Sequence, residues 1–291
     1  MRIATSQMFE RPASLMASLT QKADALQTQI STGKKISTPS DDAGAWVRLQ
    51  GLGRADADGK AYAANVKLAQ GVLAQADTTL SDMSTQLQHA QELALQASNG
   101  TLNGANRAAI GASLQAVTDE LLALANVSDV RGQPLFGGAN SDAPYVKNPD
   151  GSVSYAGAGD AAPIPIGDAD SVAPSIRGDR AFGELFVTLK ALGDALSAGN
   201  AVPTDTLAKL STVSDSIAAA HASVGARALR VDLVADRLSN GEVEREAARD
   251  GLESADIAST VTELQKTLTI LQATQASFTK LTSMSLFDYL R

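Results

Sequence analysis

The 291-residue chain contains no cysteine, which excludes disulfides, thiol chemistry and Cys-ligated metals. That absence is compatible with life outside the cell without demonstrating it. Aromatic residues are scarce, at 4%, so few large side chains are on hand to fill a single globular core. Ala, Leu, Ser, Thr and Gln abound instead, a composition suited to long helices packed closely through small residues. Histidine is confined to His89 and His221. Each lies inside a helical pattern with no second ligand at metal spacing, and both read as structural or solvent-facing. No apolar run approaches the ~20 residues of a membrane-spanning helix, and Met1 to Glu10 lacks the apolar core of a secretory signal. The expectation is a chain without a membrane span, exported, if at all, by a route that uses no cleaved signal.

Basic charge is also short in one place. The formal net charge is −8, and residues 129–256 hold 19 acidic and 11 basic side chains, while the remainder holds 13 of each. All of the imbalance therefore sits in the middle of the chain. An acidic middle between neutral ends argues against a nucleic-acid partner, which wants a basic face. It suits a solvated middle with ends that pack against something.

What the sequence does have is helical periodicity, interrupted by one dense joint. Ser31-Thr-Gly-Lys-Lys-Ile-Ser-Thr-Pro-Ser-Asp-Asp-Ala-Gly-Ala45 reads as a helix stop, a short connector and a helix start. Gly33 suits the left-handed position past a helix end, with Lys34 and Lys35 near the dipole's negative pole. Pro39 cannot sit inside a helix. Ser40 is placed to cap the next one, with Asp41 and Asp42 in its first turn.

Before the joint, residues 5–32 carry Leu15, Leu19, Leu26 and Ile30 on one stripe, with Lys22 or Ala23 at the intervening position. After it, Ala69, Leu73, Ala76, Leu80, Met83, Leu87, Ala90, Ala94 and Ala97 step by four and three, the signature of a coiled-coil-like seam. A continuous helix from Ser40 to Ala97 would be roughly 85 Å long. Gly51, Gly53, Gly59 and Gly71 weaken it by about 1 kcal/mol each relative to Ala, so a bend or irregular turn is expected between Gly51 and Gly59. Asn99-Gly100 ends the helix. A second helix over Asn103 to Asn126 places Ile110, Leu114, Val117, Leu121 and Leu124 on one face and should fold back antiparallel on its predecessor.

Between Val127 and Gly183 the period changes. Short extended runs appear at Leu135-Phe136, Tyr145 to Lys147, Ser152 to Tyr155 and Ile164 to Ile166, and Asn148-Pro-Asp-Gly151 is a hairpin signal. Helix returns at Phe182, Leu185, Phe186, Leu189, Leu192 and Leu196. A long segment follows from Leu207 to Leu238, with a local break expected at Asn240-Gly241. The last segment carries Ile257, Val261, Leu264, Leu268, Leu271, Gln275 and Phe278 at steps of four and three. From Ile257 to Ser285 only Glu263, Lys266 and Lys280 are charged. A solvent-facing helix is normally laced with Glu and Lys, so this one suits an environment of protein, where a buried unpaired charge would be costly.

Sites of chemistry are not legible. Asp41-Asp42 reads as a helix start rather than a metal pair, and Gly157-Ala-Gly-Asp160 lacks the preceding buried strand of a dinucleotide site. Asn99-Gly-Thr101 and Asn126-Val-Ser128 fit the glycosylation sequon at the rate chance allows. The chain is expected to be no enzyme and to take no cofactor or metal.

Several of these segments resemble one family. Ser31-Thr-Gly-Lys-Lys-Ile36 followed by Pro39-Ser-Asp-Asp-Ala-Gly44, the helix end Leu95-Gln-Ala-Ser-Asn-Gly-Thr101, Val224-Gly-Ala-Arg227, Asp256-Ile-Ala258, Leu271-Gln-Ala273 and Ser285-Leu-Phe-Asp-Tyr-Leu290 resemble segments of the bacterial flagellins and their relatives. The likeness covers roughly residues 1–140 and 205–291. Met1 to Met8 and Ser285 to Arg291 resemble the branch that joins the flagellar hook to the filament, whereas Gly44-Ala-Trp46 is similar to short filament flagellins.

The resemblance implies a mainly α fold: a long-helix bundle with a terminal coiled coil and a small β-rich insertion. It implies a coiled-coil assembly domain from residues 1–44 and 250–291, a helical bundle from 45–133 and 182–249, and an outer β-rich domain over 134–181. It further implies an extracellular structural subunit of the flagellum, self-associated in a ring or tube. Its neighbours would be another hook-associated protein and flagellin, and its export would use the flagellar type III apparatus and an export chaperone. The candidate assembly interface is Leu15, Leu19, Leu26, Ile30, Lys34, Lys35, Asp41, Asp42, Ile257, Val261, Leu264, Leu268, Leu271, Phe278, Leu286 and Leu290. A filament-forming flagellin and, from another class, a secreted helical binding module are the alternatives.

Overall fold

The computed structural model describes residues 2–289, with side-chain surroundings over residues 10–280. Among the described residues the chain forms α1 (Arg2–Thr32), α2 (Ala43–Ala97), α3 (Gly104–Ala125), four short strands β1 (Tyr145–Lys147), β2 (Val153–Tyr155), β3 (Ile164–Pro165) and β4 (Ser171–Val172), then α4 (Gly178–Phe182), α5 (Leu185–Ser197), α6 (Thr206–Glu253) and α7 (Ile257–Tyr289). The fold is mainly α with a small β region, as the sequence leads one to expect. The chain packs into two compact units, Met1–Ala57 with Gly241–Arg291, and Asp58–Asn240. Helices α2 and α6 contribute residues to both.

The unit Asp58–Asn240 is a bundle with one continuous core. All nine positions of the α2 seam, Ala69 to Ala97, are at most 1% exposed. They share a buried cluster with Leu114 and Leu121 of α3, Leu185, Leu189, Leu192 and Leu196 of α5, and Leu210, Ile217, Val224 and Val231 of α6. Four faces close around this seam, which two helices alone cannot do. The close partner of α3 is α5 rather than its predecessor α2. Small residues explain the preference. A Cβ on Gly111 would lie 3.1 Å from Leu196 Cβ and 3.2 Å from the Ser197 nitrogen, and Gly104 approaches the Gly199 backbone. Asn103 caps α3 by accepting a hydrogen bond from the Asn106 N–H at 2.8 Å.

Helix α3 is also long and apolar enough to cross a membrane, by length and composition alone. The expectation that no run comes near that threshold is corrected here. In the bundle the same apolar character places Ile110, Leu114, Val117 and Leu121 in the core.

The β region consists of two antiparallel hairpins, not one sheet. The expected hairpin is present: Tyr145 pairs with Tyr155 and Lys147 with Val153, and Gly151 takes the turn with φ +78°. The second hairpin pairs Ile164 with Val172. Leu135 and Phe136 form no strand, yet each is 1% exposed and joins the helical core. Asn126, at the end of α3, completes β1 from the side. Its Nδ2 donates to the Tyr145 carbonyl and its Oδ1 accepts from the Tyr145 N–H, both at 2.9 Å. The carboxamide thus stands in for a strand partner.

An irregular turn in α2 between Gly51 and Gly59 and a local break in α6 are not there. Helix α2 runs without a break through Gly51, Gly53, Gly59 and Gly71, and α6 runs through Asn240-Gly241. A glycine costs about as much as one good contact. Each is outweighed by apolar neighbours on the buried face, such as Leu49 and Val66 in α2.

Candidate assembly site at the paired terminal helices

The unit Met1–Ala57 with Gly241–Arg291 is built on α1 and α7, which pack along each other. On α1 the less exposed positions include Pro12, Met16, Leu19, Ala23, Leu26 and Ile30, spaced by four and three, with Gln29 beside the last of them. Ala23 is 6% exposed, so it, and not Lys22, holds the intervening seam position. Leu15 is displaced from the seam by Met16 and is 50% exposed.

On α7 the seam is Thr260, Leu264, Thr267, Leu271, Thr274 and Phe278, again at steps of four and three. Thr260 and Thr267 are its most buried members. Their hydroxyls, and that of Thr274, donate to the carbonyls of Asp256, Glu263 and Ile270 one turn earlier in the helix, at 2.7–2.8 Å. Each polar atom is satisfied within the helix and the threonine's methyl is left for packing. Ile257 and Leu268 are 42% and 41% exposed, Val261 is half-buried, and Ile270 is 44% exposed. Leu264, Leu271 and Phe278 therefore belong to the seam, while Ile257 and Leu268 form an uncovered apolar flank. Leu290 and the side chain of Leu286 lie outside the described residues.

Toward one end, Arg11, Pro12, Leu15, Thr274, Ser277 and Phe278 line a shallow, mainly apolar groove of about 250 Å³. Midway, Lys22 Nζ meets Glu263 Oε1 at 2.6 Å. The hydrogen bond from Lys22 holds the Glu263 carboxyl below its ordinary value.

At the other end lies the joint. Gly33 stops α1 with φ +70°, where a Cβ would be strained. The connector then pairs with the α6–α7 connector as a short antiparallel bridge between Lys34 and Ser254. The Lys35 N–H donates to the Glu253 carbonyl at 2.7 Å and the Ala255 N–H to the Gly33 carbonyl at 2.9 Å. Lys34 Nζ lies 3.0 Å from Glu253 Oε1, and Lys35 Nζ donates to the Gly251 carbonyl at 3.4 Å. Both lysines thus have partners in their own chain.

The acids of the joint accept backbone hydrogen bonds, Asp41 within the connector and Asp42 at the start of α2. Asp41 Oδ2 accepts from the Ser37 and Thr38 N–H groups, each at 2.8 Å, and these bonds hold its pKa down. Asp42 Oδ1 accepts from the Ala45 N–H at 2.9 Å. Helix α2 therefore starts at Ala43 with Asp42 as its cap, where Ser40 was expected, and Asp41 lies outside the first turn. The same device opens α7: Asp256 Oδ1 accepts from the Ala258 N–H at 3.0 Å and the Ser259 N–H at 3.3 Å.

One cluster is invisible to local sequence reading. Asp56 of α2 accepts from Arg245 Nε at 2.8 Å and pairs closely with Arg249 of α6. The Arg245 hydrogen bond, with Arg249 beside it, holds the Asp56 carboxyl below its usual range. The partners are 189 and 193 residues apart; only the i, i+4 spacing of the two arginines hints that they act on one target. No group of three or more potential ligands is placed to hold a metal among the described residues. What the arrangement offers is surface: a two-helix seam buried on one side, with apolar side chains on the other.

Comparison with known proteins finds likenesses at both ends of the chain. Residues 3–141 match the bacterial flagellin N-terminal helical region and residues 207–290 the bacterial flagellin C-terminal helical region. A flagellar hook-associated protein 3 of Salmonella typhimurium is 35% identical over 143 residues, covering 49% of this chain and 45% of that protein. A protein of the same name from Escherichia coli is 32% identical over 146 residues, covering 50% and 46%. The matched stretch is thus under half the length of these curated relatives. The crystal structure of flagellar hook-associated protein-3 from Legionella pneumophila superposes with a TM-score of 0.65 at 14% identity, covering 70% of this chain and 98% of that one; at that identity it shows a shared fold. With both helical regions matched, the chain belongs to the bacterial flagellin family.

Proposed function

We propose that this protein is a structural, non-catalytic subunit of the bacterial flagellum that joins the hook to the filament. The observation that carries the reading is the half-covered α1–α7 pair. Its seam is closed on one side, while Leu15 of α1 stays 50% exposed and Leu268 and Ile270 of α7 stay 41% and 44% exposed, the latter two on a helix with few charges. Apolar side chains on a two-helix unit are a surface for further helices. Assembly would add those helices from neighbouring copies in a ring or tube and from flagellin and another hook-associated protein. The names of the curated relatives support an association with the hook.

The interface would comprise Leu15, Ile257, Leu268 and the ends of α1 and α7, with Lys34, Lys35, Asp41 and Asp42 at the rim of the joint. Residues 134–181 would form the outer, solvated part of the subunit. Passage through the flagellar export apparatus, helped by a chaperone, would place it outside the cell. A strain lacking the gene should build hooks and shed flagellin into the medium; intact filaments in that strain would refute the reading.

Filament-forming flagellin is the second reading, favoured by the match of both flagellin terminal regions. It predicts that purified subunits elongate short filament seeds into long fibres, where the junction reading predicts that they do not.

A further inference from the structure

Asn99-Gly100, Asn103-Gly104 and Asn240-Gly241 are the three Asn-Gly pairs of the chain, and all three asparagines are exposed; Asn103 caps α3, its Oδ1 held by one hydrogen bond from the Asn106 N–H at 2.8 Å. Their backbones differ. Asn240-Gly241 lies within α6, where helical hydrogen bonding fixes the glycine nitrogen and holds it away from the preceding side chain. Asn99-Gly100 lies in the turn after α2. The Leu102 N–H donates to the Asn99 carbonyl at 3.2 Å, closing a turn with Gly100 and Thr101 at its centre. Asn99 Oδ1 accepts two hydrogen bonds, from the Thr101 N–H at 3.1 Å and from Thr101 Oγ1 at 2.9 Å. The ring closed by the first of these encloses the Gly100 peptide, and Oδ1 holds two donors.

We propose that Asn99-Gly100 is a self-modification site, at which the Gly100 nitrogen attacks the Asn99 carboxamide and water completes its conversion to aspartate and isoaspartate. In the first step a bond forms between the Gly100 nitrogen and Asn99 Cγ, and negative charge gathers on Oδ1. The two Thr101 donors already point at that oxygen and stabilise it as an oxyanion. The Cγ–Nδ2 bond then breaks, and the amide proton of Gly100 leaves with Nδ2 as ammonia. Water opens the resulting cyclic imide at either carbonyl. No electrons are exchanged, and water is the sole co-reactant. The product carries one more negative charge at the α2–α3 turn.

The test incubates the purified full-length chain at mildly alkaline pH and follows Asn99, Asn103 and Asn240 separately by peptide mass spectrometry with isoaspartate detection. Asn99 should convert at least roughly tenfold faster than Asn240, which needs local opening of its helix first. Gly100→Ala should slow Asn99 several-fold without harm to the fold, because the added Cβ meets nothing within 4 Å. Thr101→Val should also slow it several-fold by removing the hydroxyl donor. Equal rates at Asn99 and Asn240, an Asn99 amide that survives the incubation, or unchanged rates in both variants would overturn the proposal.

Discussion

The two units of this chain use the same four-and-three spacing to different ends. In the bundle, the α2 seam from Ala69 to Ala97 is at most 1% exposed at every position, because helices α3, α5 and α6 present apolar faces to the same cluster. In the terminal unit, Leu19, Leu26, Ile30, Leu264, Leu271 and Phe278 remain only half-buried, and the most buried positions of α7 are threonines. Heptad spacing therefore specifies which residues face inward, not how far they are buried. Burial depends on how many helices close the seam.

The comparison breaks first where burial is deepest. Phe182→Ala, at a site with 0% exposure and an edge-on contact with Phe136 at 4.8 Å between ring centroids, should cost about 3–5 kcal/mol in urea unfolding of the monomer. Leu271→Ala in the half-buried terminal seam should cost about 1 kcal/mol or less in the same measurement, since only part of its area leaves water. Equal losses would erase the distinction between the units.

Next in size is Gly111→Val. Its side chain would be driven against Leu196 and Ser197, and the close α3–α5 approach should lose about 1–3 kcal/mol, read as a lower urea midpoint. Unchanged stability would mean that the small residue is not what selects α5 as the partner of α3.

Acid should loosen the terminal unit through Asp56 and Glu263. Their folded pKa values lie below the ordinary carboxylate range. The stability they add is therefore fully present above that range and is lost as pH falls through the folded values. Hydrogen exchange of α6 near Arg245 should accelerate on acidification, and Asp56→Asn should bring that faster exchange to neutral pH. An identical pH profile in the variant would rule out Asp56 as the source of the acid sensitivity.

The smallest expected effect on the monomer is that of Lys34→Ala with Lys35→Ala. Both ammonium groups are exposed, and exposed ion pairs contribute little to stability, so the unfolding midpoint should barely move while assembly into the flagellum weakens. A large drop in monomer stability with assembly intact would make the joint a turn only.

These differences also mark what could be read from the sequence. The α2 seam was legible because nine apolar or small residues keep one register, and the Asn148 to Gly151 hairpin because its turn residues have fixed backbone demands. The α7 seam was only half legible. A stripe of Ile, Val and Leu through Ile257, Val261 and Leu268 outranks Thr260, Thr267 and Thr274 on any hydrophobicity scale, yet a threonine that bonds its hydroxyl back to its own helix presents a methyl group. The glycines of α2 and Asn240-Gly241 suggested breaks because propensity is a local quantity, and helix packing overrode it. Asp56 carried no local signal, since its partners come from the far end of the chain.

Limited proteolysis of the monomer, with mass spectrometry of the surviving core, tests the contrast between the units most directly. The predicted result is early loss of about 40 residues from each end, where local opening is cheapest, leaving a resistant fragment that retains residues 58–240. First cuts within the bundle, with α1 and α7 surviving intact, would contradict it.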